Sequence, residues 1–168
     1  MTILTPPSIT IRPVRADEID TYFDLTLLVD LHVPTHLLPD LKNTIATALR
    51  DERGPFSHAL NHFLFAETAD GTPIAAVHVG PGRWMLNRQI PARIRRTLAD
   101  RVSNIDTIAV HPDHRGQGIG ARILAHVEAD FRRAGYRALA LSARLDSSCS
   151  ALRTAPGWAL DSNSEQLQ

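Results

Sequence analysis

The sequence predicts an α/β or α+β domain in which helices cover the faces of one sheet. Three observations predict it. Segments with two-residue alternation and segments with a helical apolar period follow one another in the order β-α-α-β-β-(α)-β-α-β-α. Asp70-Gly71 stands between two strand-like runs, the composition of a hairpin turn. Finally, a strand-like run ending at Val110 passes through HPDHRGQGIGARIL, residues 111 to 124, into a long amphipathic helix.

In chain order, SITIRPV alternates and carries β-branched residues, so it reads as a first strand ending near Arg12 or Pro13. ADEIDTYFDLTLLVD sets Ile19, Phe23 and Leu27 on one helical face, with Asp17 as the expected N-cap. HVPTHLLP interrupts it, and DLKNTIATALRDERG gives a second helix stopped at Gly54-Pro55. HFLFAETADGTPIAAVHVG reads as two antiparallel strands. Pro81, Gly82 and Pro91 break the pattern of the next stretch, where ARIRRTLADRV suits a short helix. NIDTIAV is a strand. Residues 119 to 134 form a helix with Ile123, Leu124, Val127 and Phe131 inward, closed by Gly135. YRALALSA is a further strand, and residues 147 to 155 suit a last helix.

A chain of 168 residues is most simply one domain, here 1–168, with its core at about 8–158 and a short strand or polar tail at 159–168. The 43% hydrophobic share is enough for a core, and zero formal charge predicts neither a nucleic-acid nor a membrane partner. One cysteine, Cys149, excludes an intrachain disulfide framework and a cysteine-rich zinc site. No apolar run approaches the roughly 18 residues of a membrane span, and the first residues lack a signal-peptide core, so a cytoplasmic protein is expected. Lys42 is the single lysine.

The glycine-rich passage is the most informative segment. Glycine lets a ligand approach the main chain closely, and unpaired amides at a helix start carry partial positive charge. Phosphate is the natural partner, with Arg115 adding a guanidinium. A plain tight turn needs fewer glycines. The P-loop pattern fails because no lysine follows the glycines. GQGIGA satisfies a loose dinucleotide fingerprint, but only 48 residues follow Gly120, too few for the βα units that such a sheet still requires.

Val110, Pro112, Arg115, Gly116, Gly118, Ile119, Gly120 and Leu124 spell V-x-P-x-x-R-G-x-G-I-G-x-x-L. This resembles the acyl-coenzyme A binding motif of the GCN5-related N-acetyltransferase (GNAT) superfamily, over roughly residues 8 to 158 and most strongly over 104 to 135. The resemblance implies a mixed, mostly antiparallel central sheet flanked by helices, with acetyl-coenzyme A as co-substrate and no metal. It implies that Arg115, Gly116, Gln117, Gly118, Ile119 and Gly120 hold the pyrophosphate. The pantetheine arm would pair along Ile108, Ala109 and Val110, with Asp146 and Arg153 as further cofactor contacts. The Val110 amide would be the oxyanion donor.

Attack of an amine on a thioester calls for a neutral amine, a positioned carbonyl, an oxyanion donor and a proton for the leaving thiolate. Asp106 is the candidate base, since counting by twos puts Asp106, Ile108 and Val110 on one strand face. The alternative is that Asp106 only caps, pairs or faces solvent. His111 reads as a loop residue or a neutral-range titrating group. Superfamily members commonly carry N-x-x-A-x-x-L-Y-x-x-x-G-F after the next strand, its tyrosine protonating the thiolate. Here DSSCSALRTAPGW puts Arg153 at that tyrosine and Asp146 where an asparagine usually lies. Arginine cannot give up a proton, so the usual acid is absent from its position. Tyr136 is poorly placed to replace it, and Cys149 lacks a readable catalytic partner.

Two H-x-x-x-H pairs, His32 with His36 and His58 with His62, are better read as ordinary polar pairs than as metal ligands. Residues 83 to 101 hold six arginines and one aspartate, a solvated basic helix by default, with Trp84 and Met85 as candidate acceptor contacts. After Gly157-Trp158 only ten residues remain, a shortened C-terminus relative to the superfamily. Either the acceptor site is open or a second subunit completes it, as in a homodimer. The expected function is N-acetyl transfer to a primary amine of a small molecule or peptide. The alternative is an acyl-coenzyme A binding or sensing domain with weak or no catalysis.

Overall fold

The computed structural model describes residues 8–29, 33–53, 61–82 and 89–141. Five strands form one sheet in chain order: β1 (Thr10–Pro13), β2 (His62–Glu67), β3 (Pro73–Gly80), β4 (Val102–Val110) and β5 (Ala138–Leu141). The first four are antiparallel neighbours, and β5 joins β4 in parallel. The helices are α1 (Ile19–Thr26), α2 (Leu38–Asp51), α3 (Ala92–Ala99) and α4 (Ile119–Arg133). The expected mixed, mostly antiparallel sheet with flanking helices is therefore observed. Residues 147–155 and the C-terminal tail lie outside the described residues.

Strand alternation divides the core into two layers. Phe63, Phe65 and Ala76 point to one face, where they meet Tyr22, Phe23, Ile45 and Leu49 of α1 and α2. Val77, Val79 and Ile105 point to the other, against Ile119, Ile123, Val127 and Phe131 of α4. Leu124 packs partly buried on that second cluster. Gly135 ends the α4 region at φ +90°, and Gly71 takes φ +84° in the β2–β3 hairpin, as their composition predicted.

The start and end of α1 differ from expectation. Asp17 is not a cap: a 3-10 turn over Ala16–Glu18 precedes the helix, and Glu18 reaches back to accept the Arg15 amide at 2.9 Å. This is the return half of a capping box, made by the third residue rather than the first. Leu27 is 45% exposed, because α1 ends at Thr26, whose hydroxyl donates to the Phe23 carbonyl at 3.1 Å. Tyr22 and Leu25 complete the buried stripe instead. Helix α2 starts at Leu38 with Pro39 in its first turn and ends through left-handed Glu52, before Gly54 is reached. Lys42 on α2 bonds Asp20 at 2.8 Å and lies 5.6 Å from the Phe23 ring centroid.

An ion-pair cluster ties β1 to β2 and to the turn before α1. Arg12 donates to both Glu18 oxygens, at 2.8 and 2.7 Å, bonds Glu67 as well, and lies over the Phe65 ring. The Arg12 hydrogen bonds hold the Glu18 carboxyl below its ordinary range against the opposing effect of burial, with the Arg15 amide adding to the lowering. A depressed carboxyl stabilises the fold above its unfolded-state value and loses that stabilisation as pH falls through the folded one. Glu18→Gln should therefore cost about 1.5–3 kcal/mol near neutrality. In urea unfolding followed by circular dichroism, the difference from wild type should stay level above about pH 5 and shrink in stronger acid.

Candidate functional site

Strand β4 carries the site, and its register is interrupted. Ile105 pairs with Val79 and Thr107 with His78, so Asp106 is an extra residue with no partner on β3. Such a bulge inverts the facing of everything beyond it relative to a plain count by twos. Ile108 and Val110 pack toward α4. Asp106 lies on the opposite face, beside His78 and close enough to α1 for its charge to act on Tyr22. The expectation that Asp106 shares a face with Ile108 and Val110 is thus corrected, because the bulge falls between them.

Asp106 is held from two sides. His78 Nδ1 lies 3.1 Å from Oδ2, and the Asn104 amide donates to Oδ1. The far ring nitrogen of His78, Nε2, is 2.8 Å from Asn61 Oδ1, and the ring stacks on Phe63 at 4.7 Å and 17°. Asn61 is only 4% exposed, while the His78 and Asp106 side chains keep 20% and 32%. Tyr22 is buried, and burial drives its phenol far above the ordinary value, with the Asp106 charge adding to the rise. Tyr22 is therefore a neutral hydroxyl on the α1 side of the pair.

The main chain of β4 is poised along its other edge. His111 donates its amide to the Ile74 carbonyl at 2.9 Å. Antiparallel alternation then turns the amides and carbonyls of Ala109 and Thr107 toward β3, and those of Ile108 and Val110 away from it. Ala109, by contrast, turns its polar groups toward β3, and its side chain is fully buried. Among the described residues, β5 pairs with Val102 to Ile105 and not with Ile108 or Val110. The Val110 carbonyl on that edge accepts Arg115 Nε at 3.0 Å.

Beyond Val110 the chain makes a 3-10 turn over Pro112–His114, capped by His111, whose Nδ1 accepts the Asp113 amide at 3.4 Å. His111 thus serves the loop. Gly116 and Gly118 then take φ +74°, the left-handed region, and α4 begins at Ile119. The first helical bond is Arg122 N–H to the Gly118 carbonyl at 3.1 Å. Among the described residues, the amides of Gly116 through Ala121 meet no acceptor. A Cβ added at Gly116, Gly118 or Gly120 would touch nothing within 4 Å. The loop is open at these positions, while Ile119 and Ile123 anchor the start of α4 in the core. Gln117 donates to the Asp113 carbonyl at 3.3 Å, so its side chain braces the loop.

Asp146 and Arg153 lie outside the described residues, as do Trp84, Met85, Cys149, His32 and His58. His62 opens β2 and packs on Phe131 at 4.8 Å, so helical spacing from His58 does not apply to it. Among the described residues no three His, Cys, Asp or Glu side chains gather closely enough to hold a metal ion. No described helix is long and apolar enough to cross a membrane. The helix expected in the arginine-rich stretch is α3, which has no buried residue. An open groove of about 620 Å³ between α1 and α2 is lined by Ile19, Asp20, Leu38 and Lys42 and includes neither Asp106 nor the glycine loop. His78 and Asn61 escaped sequence reasoning, since only strand register brings them to Asp106.

Residues 28–154 match the model of the Acetyltransferase (GNAT) family, and the chain belongs to that family. No curated protein sequence matches it significantly. The fold resembles an aminoglycoside 6'-N-acetyltransferase from Acinetobacter baumannii, with 18% identity, TM-score 0.57, and 85% of this chain and 84% of that one covered. It also resembles a ribosomal-protein-alanine N-acetyltransferase from Brucella melitensis biovar Abortus, with 17% identity, TM-score 0.55, and coverage of 90% and 95%. A predicted acetyltransferase from Clostridium acetobutylicum, solved with acetyl-CoA, aligns at 13% identity and TM-score 0.58 over 90% and 94%.

The loop geometry predicts anion binding independent of any reaction. Pyrophosphate titrated at low salt should bind wild type measurably by calorimetry. Arg115→Met should weaken it about tenfold, the worth of one charge-assisted bond. Equal affinity in the two proteins would mean that the guanidinium takes no part.

Proposed function

We propose that this chain is an acetyl-CoA-dependent N-acetyltransferase acting on a primary amine by direct attack on the thioester. The observation that carries the reading is the run of acceptor-free amides from Gly116 to Ala121, opening beside a strand edge that is unpaired among the described residues. The amides of the 116–120 segment and the outer nitrogens of Arg115 suit a diphosphate. The outward N–H and C=O groups of Ile108 suit the amides of a pantetheine arm. The Val110 N–H, on the same edge, suits a developing oxyanion.

In this reading Asp106 takes the proton that the acceptor ammonium must lose. The amine nitrogen then bonds to the acetyl carbon, the carbon–sulfur bond breaks, and the thiolate leaves with the electron pair. As the amide forms, the nitrogen gives up its second proton to solvent, and with no tyrosine at the expected acid position solvent also protonates the departing thiolate, a fair leaving group. Positioning supplies much of the rate, which a missing acid does not remove. Arg153 at the tyrosine position favours a second reading, an acyl-CoA binding or sensing domain with little catalysis.

Release of free thiol from acetyl-CoA in the presence of polyamines, aminoglycosides, amino acids or peptides separates the two readings. Turnover above hydrolysis with any amine supports the transferase, and tight binding with no turnover supports the sensor. Gly120→Val is the sharper test of the loop than Gly118→Val, because Gly118 has a left-handed φ that valine resists while Gly120 does not. We expect Gly120→Val to keep its melting temperature near wild type and to lose acetyl-CoA binding in calorimetry. Unchanged affinity would place the cofactor elsewhere. Asp106→Asn should flatten the alkaline rise of the pH–rate profile, and an unaltered profile would remove Asp106 from the base role.

A further inference from the structure

Asp106 does not stand alone, since His78 and Asn61 line up behind it. This inference rests on the transferase reading above. His78 Nδ1 faces the carboxylate at 3.1 Å, while Nε2 faces Asn61 Oδ1 at 2.8 Å. An amide oxygen only accepts, so Nε2 must carry a hydrogen. That leaves Nδ1 as the ring atom that gains and loses a proton, and it points at Asp106. We propose that His78 is the positioning residue for Asp106, with Asn61 fixing its tautomer, so that carboxylate and imidazole act as one base. The carboxylate meets the amine and the ring stores the proton.

The balance is simple. The ammonium proton passes to an Asp106 oxygen and on to His78 Nδ1, leaving neutral amine and an imidazolium–carboxylate pair. Solvent removes that proton after the product leaves. Both ring nitrogens are occupied, so the ring does not itself meet substrate, whereas the Asp106 side chain is the more exposed partner.

The surroundings are built to hold this arrangement. Phe63 of β2 stacks on the ring and keeps it in plane with its partners. Asn104 of β4 takes the other carboxylate oxygen. From α1, buried Tyr22 stays a neutral phenol within reach of the Asp106 charge and adds no competing charge. Gly80 is part of the device: a Cβ there would collide with Asn61 Oδ1 and crowd His78 Nε2 to 3.2 Å. Glycine at this strand end makes room for the asparagine amide.

The test has a spectroscopic arm that needs no acceptor. In ¹⁵N-histidine-labelled full-length protein, long-range proton–nitrogen correlation spectra should show the neutral His78 ring as the Nε2–H tautomer. His78→Gln assigns the signals. A neutral ring with the proton on Nδ1 would overturn the inference. Asn61→Asp retains an accepting oxygen and should preserve the Nε2–H form, whereas Asn61→Leu and Gly80→Ala should lose it. With an amine found by thiol release, Asn61→Leu and Gly80→Ala should each lower kcat about tenfold or more, the low end of general-base contributions. Their KM for acetyl-CoA should hold, and Asn61→Asp should restore most of the rate. Equal rates in Asn61→Leu, Gly80→Ala and wild type would also overturn it. A wild-type protein that turns over no amine would instead end the transferase reading, and the spectra alone would then decide the ring assignment.

Discussion

One extra residue in β4 governs how the rest of the site is assembled. Without the bulge at Asp106, the second half of the strand would present the same side chains to the opposite layers. Ile108 and Val110 could not then join the α4 core while Ile105 kept its place there. The interruption separates two tasks along nine residues. In the first half Asn104 and Ile105 pair on both sides. The second half keeps its β3 pairing and, among the described residues, leaves its other edge unpaired.

The glycine loop depends on that strand and on the helix that follows. A run of amides without acceptors disfavours a fold unless something else holds the chain in place. Here the burial of Ile119, Ile123, Val127 and Phe131 holds α4, and Arg115 pins the loop to the Val110 carbonyl. The acceptor-free amides of the loop and the outward amide of Val110 are thereby fixed to one another through a short stretch of chain. Geometry of that kind is what thioester chemistry requires, since a misplaced carbonyl costs more than a missing proton donor.

Most elements were legible because their signals are local. The hairpin at Asp70-Gly71, the α4 stripe and the glycine loop each depend on neighbours within a few residues. The failures are equally specific. Leu27 carries the right period, yet α1 ends one residue before it. Asp17 has the right chemistry for a cap, but Glu18 reaches the Arg15 amide first. Asp106 was recognised as a residue and misplaced as to face, because a bulge is a property of two strands and alternation within one cannot reveal it. His78 and Asn61 carry no motif, and their meaning comes from register with residues some thirty to forty-five positions away.

The lone lysine gains significance once the chain is known to belong to an acetyltransferase family. Lys42 spans to Asp20 and rests over Phe23, so its one ε-amino group is already engaged at the surface. Every other cationic side chain apart from histidine is a guanidinium, which is a poor acyl acceptor. The chain thus carries a single lysine amine open to acylation by a thioester, and an ion pair with Asp20 occupies it.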